Sequence, residues 1–107
     1  DCNAKKIILG KKINVIPYQC FGWNDNLKEI HILSKGEIIW GLDSYGNYQG
    51  LDVCTPKSQN LDIYVYSDKF HTESVKKWRC DERVTVHVPK KVLAKYRKYT
   101  KCKVVAL

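Results

Sequence analysis

The stretch Arg83-Val84-Thr85-Val86-His87-Val88 alternates strictly between valine and polar side chains. A period of two is typical of a β-strand with one buried face, so the three valines are predicted to face the core. Arg83, Thr85 and His87 then share the opposite face of the strand. Pro89 ends the strand, because proline has no N–H to donate to a neighbouring strand.

Other short runs are also predicted as strands. Leu61 to Tyr66 is rich in β-branched and aromatic residues and has no helical stripe, which favours a central strand. Residues 6–16 contain two apolar runs around Gly10, which predicts a β-hairpin. Further strands are predicted at Glu37 to Trp40, Gln49 to Val53 and Lys101 to Ala106, with a turn at Ser44 to Asn47.

One helix of about three turns is predicted at residues 27–36. Its apolar side chains follow helical spacing, Asp25 can cap the first turn, and Gly36 supplies the stop. Residues 69–77 are open between a loop and a helical turn, and residues 90–99 are open between a helical turn and extended chain. The predicted fold class is therefore α+β, with an N-terminal β-hairpin and one α-helix packed on a twisted antiparallel β-sheet.

The composition indicates one small domain over residues 1–107. The 19 Lys and Arg against 11 Asp and Glu give a net charge of +8, which favours acidic or phosphate-rich partners or simply keeps the protein soluble. No run of about 18 apolar residues is present, so no membrane partner is predicted. We also predict a monomer without a cofactor or metal.

The cysteines indicate an oxidising compartment. No zinc-type spacing occurs among the five cysteines, which favours disulfides and a secreted protein whose signal peptide has been removed. Two bridges among five cysteines allow about fifteen pairings, and composition does not choose among them. The five are Cys2, Cys20, Cys54, Cys80 and Cys102.

Three stretches resemble the small guanyl-specific ribonucleases of fungi. They are Tyr18-Gln19-Cys20, the aromatic turn Tyr45 to Leu51, and Asp81-Glu82-Arg83-Val84, which is similar to the Asp-Arg-Val of that family. The Tyr-x-Cys with a C-terminal cysteine also resembles the ribonuclease-like effectors of powdery mildew fungi. The resemblance implies a microbial ribonuclease-like fold.

The resemblance also implies a bridge from Cys20 to Cys102. For a second bridge Cys2 to Cys54 is favoured weakly, which leaves Cys80 unpaired, and Cys2 to Cys80 stays open. A bridge that closes so long a loop is worth about 4 to 5 kcal/mol in the loop-entropy model.

The catalytic set that the resemblance implies is largely missing. Ribonucleases of this family use a Glu or His base, a His acid and an Arg. Arg83 matches the Arg, Asp62 falls near the Glu position, and Asp43 falls near the first His position. Residues 95–101, where the second His should lie, contain none. We therefore predict a pseudo-ribonuclease with no catalytic residue and with degenerate positions at Asp43, Asp62 and Arg83.

A basic segment near the C-terminus is a possible RNA-binding site. Cations neutralise phosphates and aromatic rings stack on bases, although a solvated basic face explains the same pattern. The candidate residues are Lys90, Lys91, Lys95, Tyr96, Arg97, Lys98 and Lys101.

The sequence thus predicts a secreted fungal effector, a virulence or avirulence protein of a plant pathogen. It would bind a host plant protein or RNA, enter the host cell cytoplasm, and be a candidate for recognition by a plant immune receptor. One alternative is an active secreted ribonuclease that uses Asp62, Arg83 and His87. Another is a basic disulfide-stapled toxin or inhibitor.

Overall fold

The computed structural model describes residues 5–17, 26–51 and 60–107. These residues form seven strands and two helices, and neither helix is long and apolar enough to cross a membrane. The strands are Lys6–Leu9 (β1), Val15–Pro17 (β2), Glu29–Ile32 (β3), Ile39–Leu42 (β4), Leu61–Val65 (β5), Val84–Val88 (β6) and Val104–Ala106 (β7), and the helices are Thr72–Val75 (α1) and Lys90–Tyr99 (α2).

The main sheet contains five parallel strands whose order in space follows their order in the chain, β1-β3-β5-β6-β7. The intervening elements lie in a second layer, where β2 and β4 form a small parallel sheet. Helix α1 contacts β4 and α2, and α2 also contacts β7. The chain therefore winds as a coil in which each turn adds one strand to the main sheet, which is the nearest-neighbour stacking of a solenoid.

The register of the main sheet aligns one residue from each turn. Ile8, His31, Tyr64, His87 and Val105 are successive register partners across the five strands. They are separated by 23, 33, 23 and 18 residues, lengths close to that of one repeat in a solenoid.

The inner face of the main sheet forms much of the core. Its aliphatic side chains alternate along each strand, and they include Ile30, Ile32, Ile63, Val65, Val86 and Val88, each of which is at most 1% exposed. Burying a side chain of this size stabilises the folded state by roughly 1.5 to 3 kcal/mol. The second layer contributes Ile16, Trp40, Val75 and Tyr96 to the same core.

The predicted antiparallel sheet with a packed helix is wrong. The main sheet is parallel throughout, and the region of the predicted helix contains strand β3. Leu27, Ile30 and Leu33 have helical spacing, but Ile30 and Ile32 also alternate with polar residues. Both periods fit so short a window, and the strand period prevails because β3 pairs with β1 and β5 on its two sides.

The predicted hairpin at residues 6–16 is also wrong. A turn does form, and the Ile13 N–H donates to the Gly10 carbonyl at 3.1 Å. However, β1 pairs with β3 in the main sheet, whereas β2 pairs with β4 in the second layer. The turn therefore passes the chain between layers instead of joining two paired strands.

Several local predictions are confirmed. Strands occur within Leu61 to Tyr66, Arg83 to Val88 and Lys101 to Ala106, and β5 is the central strand of the main sheet. Trp40 lies in strand β4, and residues 44–47 form a turn. The segments for which the sequence left two alternatives, residues 69–77 and 90–99, contain helices α1 and α2.

The strand predicted at Gln49 to Val53 does not form within its described part, residues 49–51.

The disulfide in the described residues joins Cys80 to Cys102. The predicted Cys20–Cys102 bridge is therefore wrong, and so is the prediction that Cys80 is unpaired. The reason is topological: β7 lies beside β6, which brings the segment before β7 next to the segment before β6. Cys2, Cys20 and Cys54 lie outside the described residues, and so does the predicted Cys2–Cys54 bridge.

Replacing both bridged cysteines, Cys80→Ser with Cys102→Ser, should lower the free energy of unfolding by about 3 kcal/mol. The bridge closes a loop with a sequence separation of 22, and losing that constraint stabilises the unfolded chain by about this amount. Urea unfolding of the oxidised protein and of the double variant measures the difference. Peptide mapping that links Cys102 to any cysteine other than Cys80 would contradict the topology.

Ile63→Ala should lower the free energy of unfolding by about 3 kcal/mol, because it leaves a cavity in the centre of the core. Ile63 is 0% exposed on the inner face, whereas Ile8 is 57% exposed on the outer face. Ile8→Ala, which removes the same atoms, is the matched control and should change the value by less than about 0.5 kcal/mol. Equal losses in the two variants would mean that the faces of the sheet are assigned wrongly.

Candidate binding face

The outer face of the main sheet carries the side chains that alternate with the core. All of them are exposed or half-buried, although parallel sheets are usually covered on both faces. An open face of this kind occurs in solenoids, where the sheet lines an extended binding surface. We call this surface the sheet face, and it consists of Lys6, Ile8, Glu29, His31, Asp62, Tyr64, Tyr66, Thr85, His87 and Val105.

Three rings stack across the middle of the sheet face. The centroids of His31 and Tyr64 lie 4.5 Å apart with an interplanar angle of 8°, and those of Tyr64 and His87 lie 4.4 Å apart at 12°. Neighbouring strands in a sheet are about 4.8 Å apart, so in-register pairing brings the rings close to stacking distance. Tyr66 lies beside this stack, with its ring centroid 5.9 Å from that of His31.

Each imidazole in the stack is hydrogen-bonded to a carboxylate. His87 Nε2 lies 2.9 Å from Asp62 Oδ1, and His31 Nε2 lies 2.8 Å from Glu29 Oε1. A carboxylate only accepts, so the Nε2–H donates in both pairs. Tyr66 donates its hydroxyl to His31 Nδ1 at 2.7 Å, which uses the second ring nitrogen of that imidazole.

The carboxylates are the more accessible half of these pairs. The side chains of Glu29 and Asp62 are 44% and 42% exposed, whereas those of His31 and His87 are 16% and 20% exposed. Glu29 and Asp62 are themselves register partners. A ligand on the sheet face would therefore meet two adjacent carboxylates beside a row of ring edges.

Burial raises the pKa of Tyr64, and the negative charges of Asp62 and Glu29 raise it further. A tyrosine hydroxyl is already protonated at neutral pH, so the Tyr64 hydroxyl can donate a hydrogen bond there. The face thus combines a neutral donor with two carboxylate acceptors.

The predicted catalytic positions lie in three separate settings. Asp62 is on the sheet face with His87, whereas the guanidinium of Arg83 donates to Asp81, with Nη2 2.8 Å from Oδ2. Asp43 belongs to the turn after β4 and accepts hydrogen bonds from the N–H groups of Tyr45 and Asn47, each at 2.9 Å. Asp43 therefore organises a turn in the second layer, as Asx turns do.

The other histidine has a structural contact of its own. His71 caps α1, and its Nδ1 accepts a hydrogen bond from the Ser74 N–H at 3.3 Å. Its ring also makes an edge contact with Tyr48, with centroids 4.9 Å apart.

A repeated pattern in the sequence could have revealed the sheet face. Residues 29–32, 62–65 and 85–88 each read acid or Thr, then Ile or Val, then His or Tyr, then Ile or Val. The same ring position therefore recurs in three consecutive turns. The helical spacing within residues 27–36 obscures this repeat in the sequence.

The predicted RNA-binding residues lie on and beside α2, and they differ in their exposure to solvent. The lysines and Arg97 are exposed, but Tyr96 is 1% exposed and packs edge-on against Phe70 with centroids 4.8 Å apart. Burial also raises the pKa of Tyr96. The prediction that Tyr96 stacks on bases is therefore wrong, because the helix needs this ring on its core side.

Two further features of the described residues bear on the site. An open groove of about 570 Å³ lies in the second layer beside α1, and its walls include Tyr48, Gln49, Glu73, Lys77 and Arg79. It shares no residue with the sheet face. No cluster of three or more His, Cys, Asp or Glu side chains within residues 5–17, 26–51 and 60–107 is arranged to hold a metal ion.

The stability of the protein should fall as the pH drops from about 4 to 2, and Asp81→Asn should weaken this dependence. Hydrogen bonds from the Arg83 side chain lower the pKa of Asp81, and those from Gln49 and Asn47 lower the pKa of Asp43. A carboxyl with a lowered folded pKa stabilises the protein above its unfolded pKa of about 3.9, and this contribution is lost as the pH falls through the folded value. Urea unfolding of the unmodified protein and of the Asp81→Asn variant across this pH interval tests the prediction. If the free energy of unfolding changes with pH at the same slope in both proteins, the prediction is contradicted.

Comparisons with known proteins add no family to this description. No protein-family model matches the chain, and no curated protein or solved structure matches it. The ribonuclease resemblance therefore has no support beyond the short stretches that suggested it, and the solenoid-like topology contradicts the fold that it implied.

Proposed function

We propose that this chain is a non-catalytic binding module that holds an extended segment of a partner protein on its sheet face. The observation that carries the proposal is an outer sheet face whose described side chains are all exposed or half-buried and on which His31, Tyr64 and His87 are already ordered. Aromatic side chains dominate the energetics of protein interfaces. Rings fixed by stacking and hydrogen bonds lose little further freedom on binding, which favours affinity.

The dimensions of the face suit a short extended segment. One row of side chains on the sheet face runs from Ile8 across the three stacked rings to Val105. This row contains one residue from each of the five strands of the main sheet. Five strands at about 4.8 Å spacing give a row about 19 Å long. That is the length of about six extended residues.

The chemistry of the face selects an apolar and basic segment. Ile8 is 57% exposed at one end of the row, and Val105 is half-buried at the other. Glu29 and Asp62 form an acidic pair beside the row, although the whole chain has a net charge of +8. Lys or Arg in the partner can meet these carboxylates, and charge complementarity of this kind sets specificity and orientation.

A ribonuclease function through Asp62, Arg83 and His87 has less support. The Arg83 guanidinium is bonded to Asp81, and the His87 Nε2 is bonded to Asp62. The predicted effector role, the host plant partner, the secretion and the immune recognition do not depend on the sheet face and remain predictions.

Peptides selected against the full chain from a random nine-residue phage library should combine apolar residues with Lys or Arg. The double substitution Glu29→Gln with Asp62→Asn should weaken their binding at least tenfold, because it removes the acidic pair and leaves the rings in place. Fluorescence anisotropy with the labelled consensus peptide measures this.

The matched control is Glu37→Gln with Glu82→Gln, which removes the same charge from exposed positions away from the sheet face. The control should bind the peptide like the unmodified protein. Acidic consensus peptides, or an equal loss of binding in both double variants, would refute the proposal.

A further inference from the structure

The outer surface of α2 is a strip of cations. The helix has ten residues and no acidic side chain, and its exposed side is mostly Lys and Arg. The segment that leads into β7 adds two more exposed lysines. We call this surface the basic strip, and it consists of Lys90, Lys91, Lys95, Arg97, Lys98, Lys101 and Lys103.

The basic strip lies on a segment that packing and a disulfide hold in place. Val92 and Tyr96 anchor the opposite side of α2 in the core, being 3% and 1% exposed. The lysines beyond the helix flank Cys102, which the disulfide ties to Cys80. The backbone positions that carry the cations are therefore fixed before any ligand binds.

The structure provides little negative charge to offset the strip. Asp68 lies 3.5 Å from Lys91, and among the described residues no other carboxylate lies within ion-pair distance of the strip. That pair is exposed, and exposed pairs contribute little. Arg97 donates to the Val104 carbonyl at 3.0 Å, and Lys98 lies 5.4 Å from the Tyr99 ring centroid, so neither is neutralised.

The arrangement is unfavourable for the helix itself. Lys90 and Lys91 lie in the first turn, where the positive end of the helix dipole repels them. Lys91, Lys95 and Lys98 follow one another at helical neighbour spacing, where like charges repel. A bound anion would relieve both repulsions.

The features of the strip favour recognition by charge without base stacking. Tyr96 is buried and Tyr99 is half-buried next to Phe70, so the helix offers no fully exposed ring on which nucleic-acid bases could stack. Six of the seven cations are lysines, which act as point charges. The disulfide indicates an oxidising compartment. Heparin-like sulfated polysaccharides are among the ligands that stretches rich in Lys and Arg bind.

We infer that the basic strip binds a sulfated polysaccharide. Binding occurs on α2, away from the sheet face, so this inference is independent of the proposed protein partner.

The test measures binding of size-defined heparin to the full chain by isothermal titration calorimetry at several salt concentrations. The variant Lys90→Gln, Lys91→Gln, Lys95→Gln and Lys98→Gln should bind heparin on the order of a hundredfold more weakly at physiological salt. Its plot of log K against log salt should be less steep by about three. All four side chains are exposed, so the thermal unfolding curve should be retained.

The matched control replaces four exposed lysines away from α2: Lys5→Gln, Lys11→Gln, Lys12→Gln and Lys28→Gln. It loses the same charge and should bind heparin within about fivefold of the unmodified protein. Equal losses would show that net charge alone attracts heparin and would overturn the inference. Undetectable heparin binding, or tighter binding of single-stranded RNA of matched charge, would overturn it as well.

Discussion

The parallel, in-register pairing of β3, β5 and β6 is the constraint on which the rest of the structure depends. It sets Ile30 opposite Ile63 and Ile63 opposite Val86, and it sets the three rings opposite one another one residue later. Because side chains alternate along a strand, a single register decides the contents of both faces. A slip of one residue would place rings and carboxylates in the core and aliphatic side chains in water.

The same pairing explains how a small chain presents two chemically different surfaces. The main sheet exposes rings and carboxylates, while α2, which packs its apolar side on the core, exposes cations. Each surface is held by an element whose other side is buried. The backbone positions that carry the charges on both surfaces are therefore fixed by packing.

The sequence predicted individual strands better than it predicted their partners. The sequence identifies β6 because its valines alternate without exception, and it identifies β5 through its β-branched and aromatic residues. β3 was missed because Ile30 belongs to both a helical and an alternating pattern. Of the sheet face, the sequence placed only Thr85 and His87 on a common side. It did not indicate that Tyr64 and His31 stack beside His87, since these residues come from different turns of the chain.

What the sequence by itself determined is local: the alternation of β6, the turn at residues 44–47, the cation-rich segment of α2 and a cysteine content suited to disulfides. The tertiary structure decided that the strands run parallel, that Cys102 bonds Cys80, that Asp62 meets His87, and that Tyr96 is buried. The physical reason is that a local pattern records which side of a segment is apolar. Partners distant in the chain are chosen only when all the apolar faces are buried together.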